Sequence, residues 1–443
     1  MKILFISLGC DKNLVDSEVM LGILREQGHC FTDDEREAEA VVVNTCCFIN
    51  DAKEESINTI LEMAELRKDG RIKALIVTGC LAQRYQEEIQ EEIPQVDAIL
   101  GTTAISQIAQ ALTKAQEGKP LNHMEALDLP PLFGKKRIVT TGGYYAYLKI
   151  AEGCDKHCTY CVIPQVRGNY RSVPMEALEQ EARELAAGGV KELILVAQET
   201  TLYGVDLYGK KALPELLRRL CQIEGICWLR VLYSYPEEIT EELIQVIKEE
   251  EKICHYLDIP VQSGSDAVLK RMGRKTDSAQ LKYITGRLRQ EIPDICLRTT
   301  LIAGFPGESE EDHQDTLAFV DEMEFDRLGV FTYSQEEDTP AAGMPGQVPE
   351  ETKERRRDEI MGLQQEIAFE AAGGMVGKTL KAIIEGKMPE EGVYVARTYK
   401  DAPGVDGYLF VNTSRELLSG DFVEVTITGS NAYDLIGELE EEA

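Results

Sequence analysis

The chain has no apolar run near the roughly 18 residues a membrane span requires, and its start, MKILFISLGC, is too short for a secretory hydrophobic region with flanks. No membrane association and a cytoplasmic location are expected. Ser7 stands where a lipoprotein cleavage box wants an apolar residue, which excludes that reading of SLGC. There is no internal repeat, and low complexity is confined to the acidic end, ELEEE. Basic residues are scarce: 47 Lys plus Arg against 78 Asp plus Glu leave a formal net charge of −31. Such a surface repels phosphate backbones and argues against non-specific nucleic-acid binding, while a basic protein partner suits its field.

What is present is an ordinary foldable composition, 43% hydrophobic and 28% charged, over 443 residues. At roughly 150 residues per domain this implies about three domains. The first third alternates short apolar runs (KILFISL, AVVVNT, ALIVTG, DAIL) with amphipathic helical stretches, the rhythm of a doubly wound parallel sheet in an α/β domain over residues 1–117. Residues 118–143 are rich in Pro and Gly without periodicity and read as a linker. Strand and helix alternation resumes over 144–372 with six strand candidates, which imply a (β/α) partial barrel. Residues 373–443 lose helical periodicity and suggest a small antiparallel, OB-like β-barrel.

Twelve cysteines in a cytosolic chain of this length point to metal or catalysis rather than to a disulfide framework. The strongest signal is EGCDKHCTYCVIPQVRG, which puts Cys154, Cys158 and Cys161 in a C-x3-C-x2-C loop directly after the first barrel strand. Three thiolates on one short loop can ligate three irons of a cubane cluster and leave the fourth open for chemistry. Spacing alone also allows a zinc site with a distant fourth ligand such as His157. Position favours chemistry, because the carboxyl ends of barrel strands carry active sites. A second triad emerges when strand ends are compared. Cys10, Cys46 and Cys80 each close a parallel strand of the first domain, so all three should emerge at one sheet edge, where neighbouring strands lie about 4.8 Å apart. Cysteine is also a good small core residue. Cys47, Cys30, Cys221, Cys227, Cys254 and Cys296 are read that way.

The loop around Cys154 resembles the radical S-adenosylmethionine (SAM) signature, and TTLIAGFPGE resembles the strand that lies along the adenine in those enzymes. The resemblance implies SAM contacts from Tyr160, from Gln198 and Glu199 in VAQETTLYG, from Gln262 and Ser263 in IPVQSGSD, from Arg298, and from Gly304, Pro306 and Gly307, the glycines letting backbone approach the ligand. Along essentially the whole chain, a three-cysteine N-terminal domain, a radical-SAM core and a small C-terminal barrel together resemble the methylthiotransferases. SLGCDKNLVDSE, QETTLYGVD and LDIPVQSGSDAVLKRMGR look most like the branch that modifies the β-carbon of an aspartate in ribosomal protein S twelve. The transfer-RNA branch carries a GCQMN-like motif where GCDKN stands here. Asp11 departs from the proline common after that first cysteine.

The resemblance further implies two 4Fe-4S clusters, one on each triad, SAM, a low-potential electron donor such as flavodoxin or ferredoxin, and a C-terminal TRAM domain for substrate recognition. Breaking an unactivated C–H bond is cofactor chemistry, so no side chain is expected to act as catalyst. Alternatives are action on a transfer-RNA adenosine, a radical-SAM enzyme whose extra cluster only passes electrons, and a non-catalytic iron-sulfur scaffold; the last would not need GFPGE. From Gly373 to Ala443 six basic residues face thirteen acidic ones. A module that grips phosphates should be basic, so this balance favours a basic protein substrate, with mere solubility as the competing explanation.

Overall fold

The computed structural model describes residues 1–389 and 392–439; Glu390, Glu391 and the acidic end from Glu440 to Ala443 lie outside the described residues. Six strands build the first domain: β1 (Lys2–Ser7), β2 (Cys30–Thr32), β3 (Ala40–Thr45), β4 (Ala74–Gly79), β5 (Ala98–Leu100) and β6 (Leu121–His123). They form one parallel sheet in the order β2-β1-β3-β4-β5-β6. AVVVNT and ALIVTG are buried at every position, as central parallel strands covered by helices on both faces must be. The chain steps outward from β1 to β2 and then crosses back to β3, so the topological switch point falls between β1 and β3.

Two of these strands were not legible as periodic runs. β2 is a three-residue edge strand, which leaves Cys30 exposed rather than in the core. Cys227 is likewise only half-buried, while Cys47, Cys221, Cys254 and Cys296 are buried. β6 lies inside the segment expected to be an aperiodic linker and pairs with β5 over three residues. Such a short pairing leaves no hydrophobic pattern to read.

The second region contains β7 (Tyr145–Lys149), the short ribbon of β8 (Ala151–Glu152) with β9 (Arg171–Ser172), and then β10 (Glu192–Val196), β11 (Trp228–Val231), β12 (Ile253–Asp258), β13 (Cys296–Ala303) and β14 (Arg327–Thr332). Six of them form a parallel sheet in the order β14-β13-β12-β11-β10-β7. Sequential neighbours with helices between them make the expected partial barrel. All six carboxyl ends open at one mouth. The helix Glu350–Gly373 packs on the outer strands β13 and β14 and leads into the last domain.

There β15 (Thr379–Met388), β16 (Val393–Thr398), β17 (Leu409–Asn412), β18 (Phe422–Asn431) and β19 (Asp434–Leu439) close a barrel in the order β15-β16-β17-β19-β18. Four pairings are antiparallel; β17 with β19 is parallel. A fully buried ionic knot fixes this barrel to the core. Glu192 of β10 accepts from Arg230 Nε at 2.9 Å and from Arg397 Nη2 of β16 at 2.8 Å. Among the described residues no helix is long and apolar enough to cross a membrane.

Candidate active site

The N-terminal triad is assembled by turns that only particular neighbours permit. β1 and β3 pair Ser7 with Asn44, and β3 and β4 pair Thr45 with Gly79, so the three strands stop level with one another. Cys10 then becomes the N-cap of the helix Asp11–Glu26, Cys46 follows β3 directly, and Cys80 opens the next helix. Gly9 and Gly79 hold φ of +88° and +93°. A Cβ on Gly9 would lie 2.7 Å from Cys46 Cβ, and one on Gly79 would strike Thr45 O and sit 2.7 Å from Thr45 N. Both glycines are therefore demanded by close approach as well as by backbone conformation. Side chains then pin the loops: Asn13 Nδ2 donates to Leu8 O at 2.6 Å and to Thr45 O at 3.2 Å, and Ser56 Oγ donates to Cys46 O at 2.9 Å. Burial pushes the Cys46 thiol up to about 12, with the charges of Cys80 and Cys10 adding to the effect. The three cysteines thus follow neighbouring strands at the sheet edge that contains the switch point, where open α/β sheets bind ligands.

The barrel triad lies on the loop between β8 and the short helix Ile163–Arg167. Cys154 N donates to Gly168 O at 3.1 Å and Cys161 N to Cys158 O at 3.0 Å, folding the loop back on itself. Burial raises the Cys154 thiol to about 12, and Glu199 and Cys158 push the same way against a backbone hydrogen bond that lowers it. Arg274 Nη1 lies 3.9 Å from Cys158 Sγ, with its guanidinium 4.4 Å from the Tyr235 ring centroid. All twelve cysteines are free. Among the described residues no three His, Cys, Asp or Glu side chains converge on a single ion, and His157 is exposed. A cluster asks for no such convergence, because each thiolate binds a different iron.

The polar groups around the mouth are left incomplete. Glu199 Oε2, Ser234 Oγ, Glu237 Oε2, Arg274 Nε and Thr276 Oγ1 are buried without a hydrogen-bond partner among the described residues. Buried polar groups are rarely left so, and this many at one strand-end mouth fit a polar, charged ligand of SAM's kind beside a cluster. Glu199 itself is bound by Thr201 through Oε1 only; burial, partly offset by Thr201 and Lys156, raises its carboxyl to about 7.

The other residues expected from the sequence divide. Gln198 Oε1 accepts from Gly153 N at 2.9 Å, and its Nε2 donates to Glu152 Oε1 at 2.7 Å, so it braces the cysteine loop. Gln262 adopts φ +76° and bridges to β13 through Gln262 N to Thr300 O and Ile302 N to Gln262 O, both 2.9 Å. Tyr160 packs edge-on against Phe305. Ser263 turns away: its hydroxyl meets Thr316 and accepts from Ser265 N at 3.2 Å, closing a local turn. Arg298 ties the core to the last barrel through Asp258 (3.0 Å) and Asp406 (3.4 Å). In GFPGE, what Gly304 admits is the side chain of Lys353, whose Cβ would lie 2.9 Å from an added Cβ; Glu308 receives the Gly304 and Phe305 N–H groups, and Pro306 is buried beside Gly307. The space that a Cβ on Gly304 would need is thus taken by the helix Glu350–Gly373.

Sequence reasoning missed the residue that joins the two triads. Arg167 ends the helix after the barrel triad, yet its Nε donates to Cys80 Sγ at 3.3 Å, its Nη1 to Asp16 at 2.7 Å and Glu152 at 3.2 Å, and its Nη2 to Asn13 at 2.8 Å. Lys149 completes the knot with Asp16 and Glu152. Burial alone would raise the Glu152 carboxyl, but Lys149 and Arg167 outweigh it and hold it low. The Arg-Gly ending of the cysteine loop was the available signal.

Comparison with known proteins accords with this geometry. Residues 2–101 match the Uncharacterized protein family UPF0004, 148–320 the Radical SAM superfamily and 376–439 the TRAM domain. The ribosomal protein uS12 methylthiotransferase RimO of Lachnoclostridium phytofermentans is 63% identical, covering 99% of this chain and 100% of that protein. Its counterpart in Clostridioides difficile is 49% identical over 99% of each. Among solved structures, the radical SAM methyltransferase TsrM of Kitasatospora setae shares the fold, with a TM-score of 0.56 at 15% identity over 77% of this chain and 76% of that one. The chain belongs to the RimO family of ribosomal protein uS12 methylthiotransferases, radical-SAM transferases that use SAM and two 4Fe-4S clusters.

Proposed function

We propose that this chain transfers a methylthio group to the β-carbon of an aspartate in ribosomal protein uS12, working as three units, 1–117, 144–372 and 373–443, with 118–143 between them. The observation that carries the reading is the pair of cysteine triads at two strand-end edges, with Cys46, Cys80, Cys154 and Cys158 buried, Cys161 half-buried and Cys10 exposed, and with Arg167 bonded to Cys80 from the helix that follows the barrel triad. Cys10, Cys46 and Cys80 would hold one cluster, and Cys154, Cys158 and Cys161 the other. When bound, the barrel cluster supplies the electron that cleaves SAM to a hydrogen-abstracting radical, and the N-terminal cluster supplies the methylthio group.

The chain's own residues bind and orient. Glu199 Oε2 is the free acceptor for an N–H of the SAM amino group, and Gln198 fixes the loop that carries the barrel thiols. Tyr160, Phe305 and Tyr333 stack edge to face and form an apolar wall for the adenosyl group, with Gln262 and the Gly304, Pro306 and Gly307 turn beside it. Arg274 offsets thiolate charge at Cys158, as Arg167 does at Cys80. Ser263 and Arg298 act at one remove, holding the strand ends. The acidic C-terminal domain suits a basic ribosomal protein better than bare RNA. A flavodoxin or ferredoxin in the cytoplasm would provide the reducing electrons.

The test is co-expression with uS12 in cells lacking their own enzyme, followed by mass spectrometry of that protein and of transfer RNA. A methylthio increment on one aspartate is expected; an increment on transfer RNA alone overturns the substrate reading.

A further inference from the structure

The target carbon of the proposed substrate is bonded directly to a carboxyl carbon, so whatever receives the carboxylate must sit beside the reacting centre. Bringing an aspartate into a closed site between two domains is strongly disfavoured unless a cation meets it. Most cations near the two triads are already saturated. Arg167 is held by Asp16, Glu152 and Asn13. Arg298 is held by Asp258 and Asp406, and Lys156 by Glu237 and Glu238.

Lys12 differs from them in having a single carboxylate partner among the described residues. It is 6% exposed and lies two residues beyond Cys10, and its ammonium rests 3.3 Å from the centroid of the Tyr233 ring at the end of β11. That places it between the sheet edge carrying one triad and the barrel mouth carrying the other. Among the described residues its one carboxylate partner is its own neighbour, Asp11, at 2.9 Å, whereas an ammonium has three donors. Asp11 is itself incomplete. Its Oδ1 also accepts from Tyr233 OH at 3.1 Å, while its buried Oδ2 has no partner among the described residues. Tyr233 holds this geometry at φ +60°, with Ser234 N anchored to Asp258 O at 2.8 Å. A bulky residue in that conformation is a strained feature of the kind that gathers at functional sites.

We propose that Lys12 is the specificity-determining residue that receives the side-chain carboxylate of the target aspartate. Asp11 is the anion that occupies the ammonium beforehand, and its free oxygen accepts an N–H of the bound peptide. The proposal rests on the functional reading above. A neutral base such as adenine has no use for a buried ammonium at that place, whereas an aspartate requires one.

The test uses the reconstituted full-length enzyme and two peptides from the uS12 loop, one with the target aspartate and one with asparagine in its place. Equilibrium binding is measured, and iron content and visible absorbance confirm that each variant holds its clusters. Wild type should prefer the aspartate peptide by about thirtyfold or more, the range for a buried charge pair that loses one partner. Lys12→Met should abolish the preference and Lys12→Arg should largely restore it. Asp11→Asn, which keeps a carbonyl acceptor but drops the competing charge, should widen the preference, and this arm stands if Lys12→Met fails to fold. Unchanged discrimination in both Lys12→Met and Asp11→Asn overturns the proposal. Wild type that binds neither peptide overturns the substrate reading, and this proposal with it.

Discussion

Cys154, Cys158 and Cys161 lie on one loop, whereas Cys10, Cys46 and Cys80 span seventy residues and meet only because β1, β3 and β4 stop level. The loop triad is built by local backbone hydrogen bonds and faces a mouth with several unpartnered polar atoms. The strand-end triad is built by long-range pairing, by two glycines that no other residue could replace without displacing backbone, and by a web of Asn, Ser and Thr side chains. A site on one loop can be kept while its surroundings vary. A site spread over three strands depends on the whole sheet, and here also on an arginine contributed by the other domain.

The comparison breaks most sharply if the loop triad is removed. Replacing Cys154, Cys158 and Cys161 by alanine should eliminate both SAM cleavage and methylthio transfer while leaving the N-terminal cluster, visible as roughly half the iron of anaerobically prepared wild type. Loss of all iron from a folded variant would show that the two sites are not independent.

The junction between the triads should give the next largest effect. Arg167→Met leaves Asp16 and Glu152 buried with Lys149 as their one remaining cation, a loss of roughly 3–5 kcal/mol by the usual cost of breaking a buried charge network. Denaturant unfolding should show it as a lowered midpoint, with iron lost preferentially from the N-terminal site. An unchanged midpoint would mean that the domains are held together elsewhere.

The smallest effect concerns Glu199 at the barrel mouth. Its folded carboxyl titrates at about 7 against an ordinary 4.5, so the fold favours the protonated form. That contribution to stability is fully present below the unfolded value and is lost as pH rises through the folded one. Ligand-free protein should therefore lose some stability between about pH 4.5 and 7, a slope that Glu199→Gln removes. SAM, whose amino N–H groups and sulfonium charge favour the ionised form, should bind more weakly as pH falls through the same window in wild type and without that dependence in the variant.

The architecture was largely legible because apolar runs such as AVVVNT and ALIVTG leave few alternatives to buried parallel strands. The barrel triad was legible from its C-x3-C-x2-C spacing, and the N-terminal one because three apolar runs, KILFISLGC, AVVVNTC and ALIVTGC, each end at a cysteine. The three-residue strands β2 and β6 were not, being too short to carry a period. Nor were the residues that complete the site. Arg167, Lys12 and Tyr233 matter through partners 87 to 222 positions away, such as Cys80 for Arg167 and Asp11 for Tyr233, which no local window contains. Gly304 shows the converse: the sequence marked the glycine, and the structure adds a packing reason for it, since a Cβ there would strike the side chain of Lys353.

The central claim is that the two triads do different work, and a Cys10→Ala, Cys46→Ala, Cys80→Ala variant tests it most directly. Under strong reductant with SAM and uS12, that variant should still form 5′-deoxyadenosine while uS12 gains no methylthio group. Methylthio transfer at the wild-type rate would show that the N-terminal thiols are packing alone.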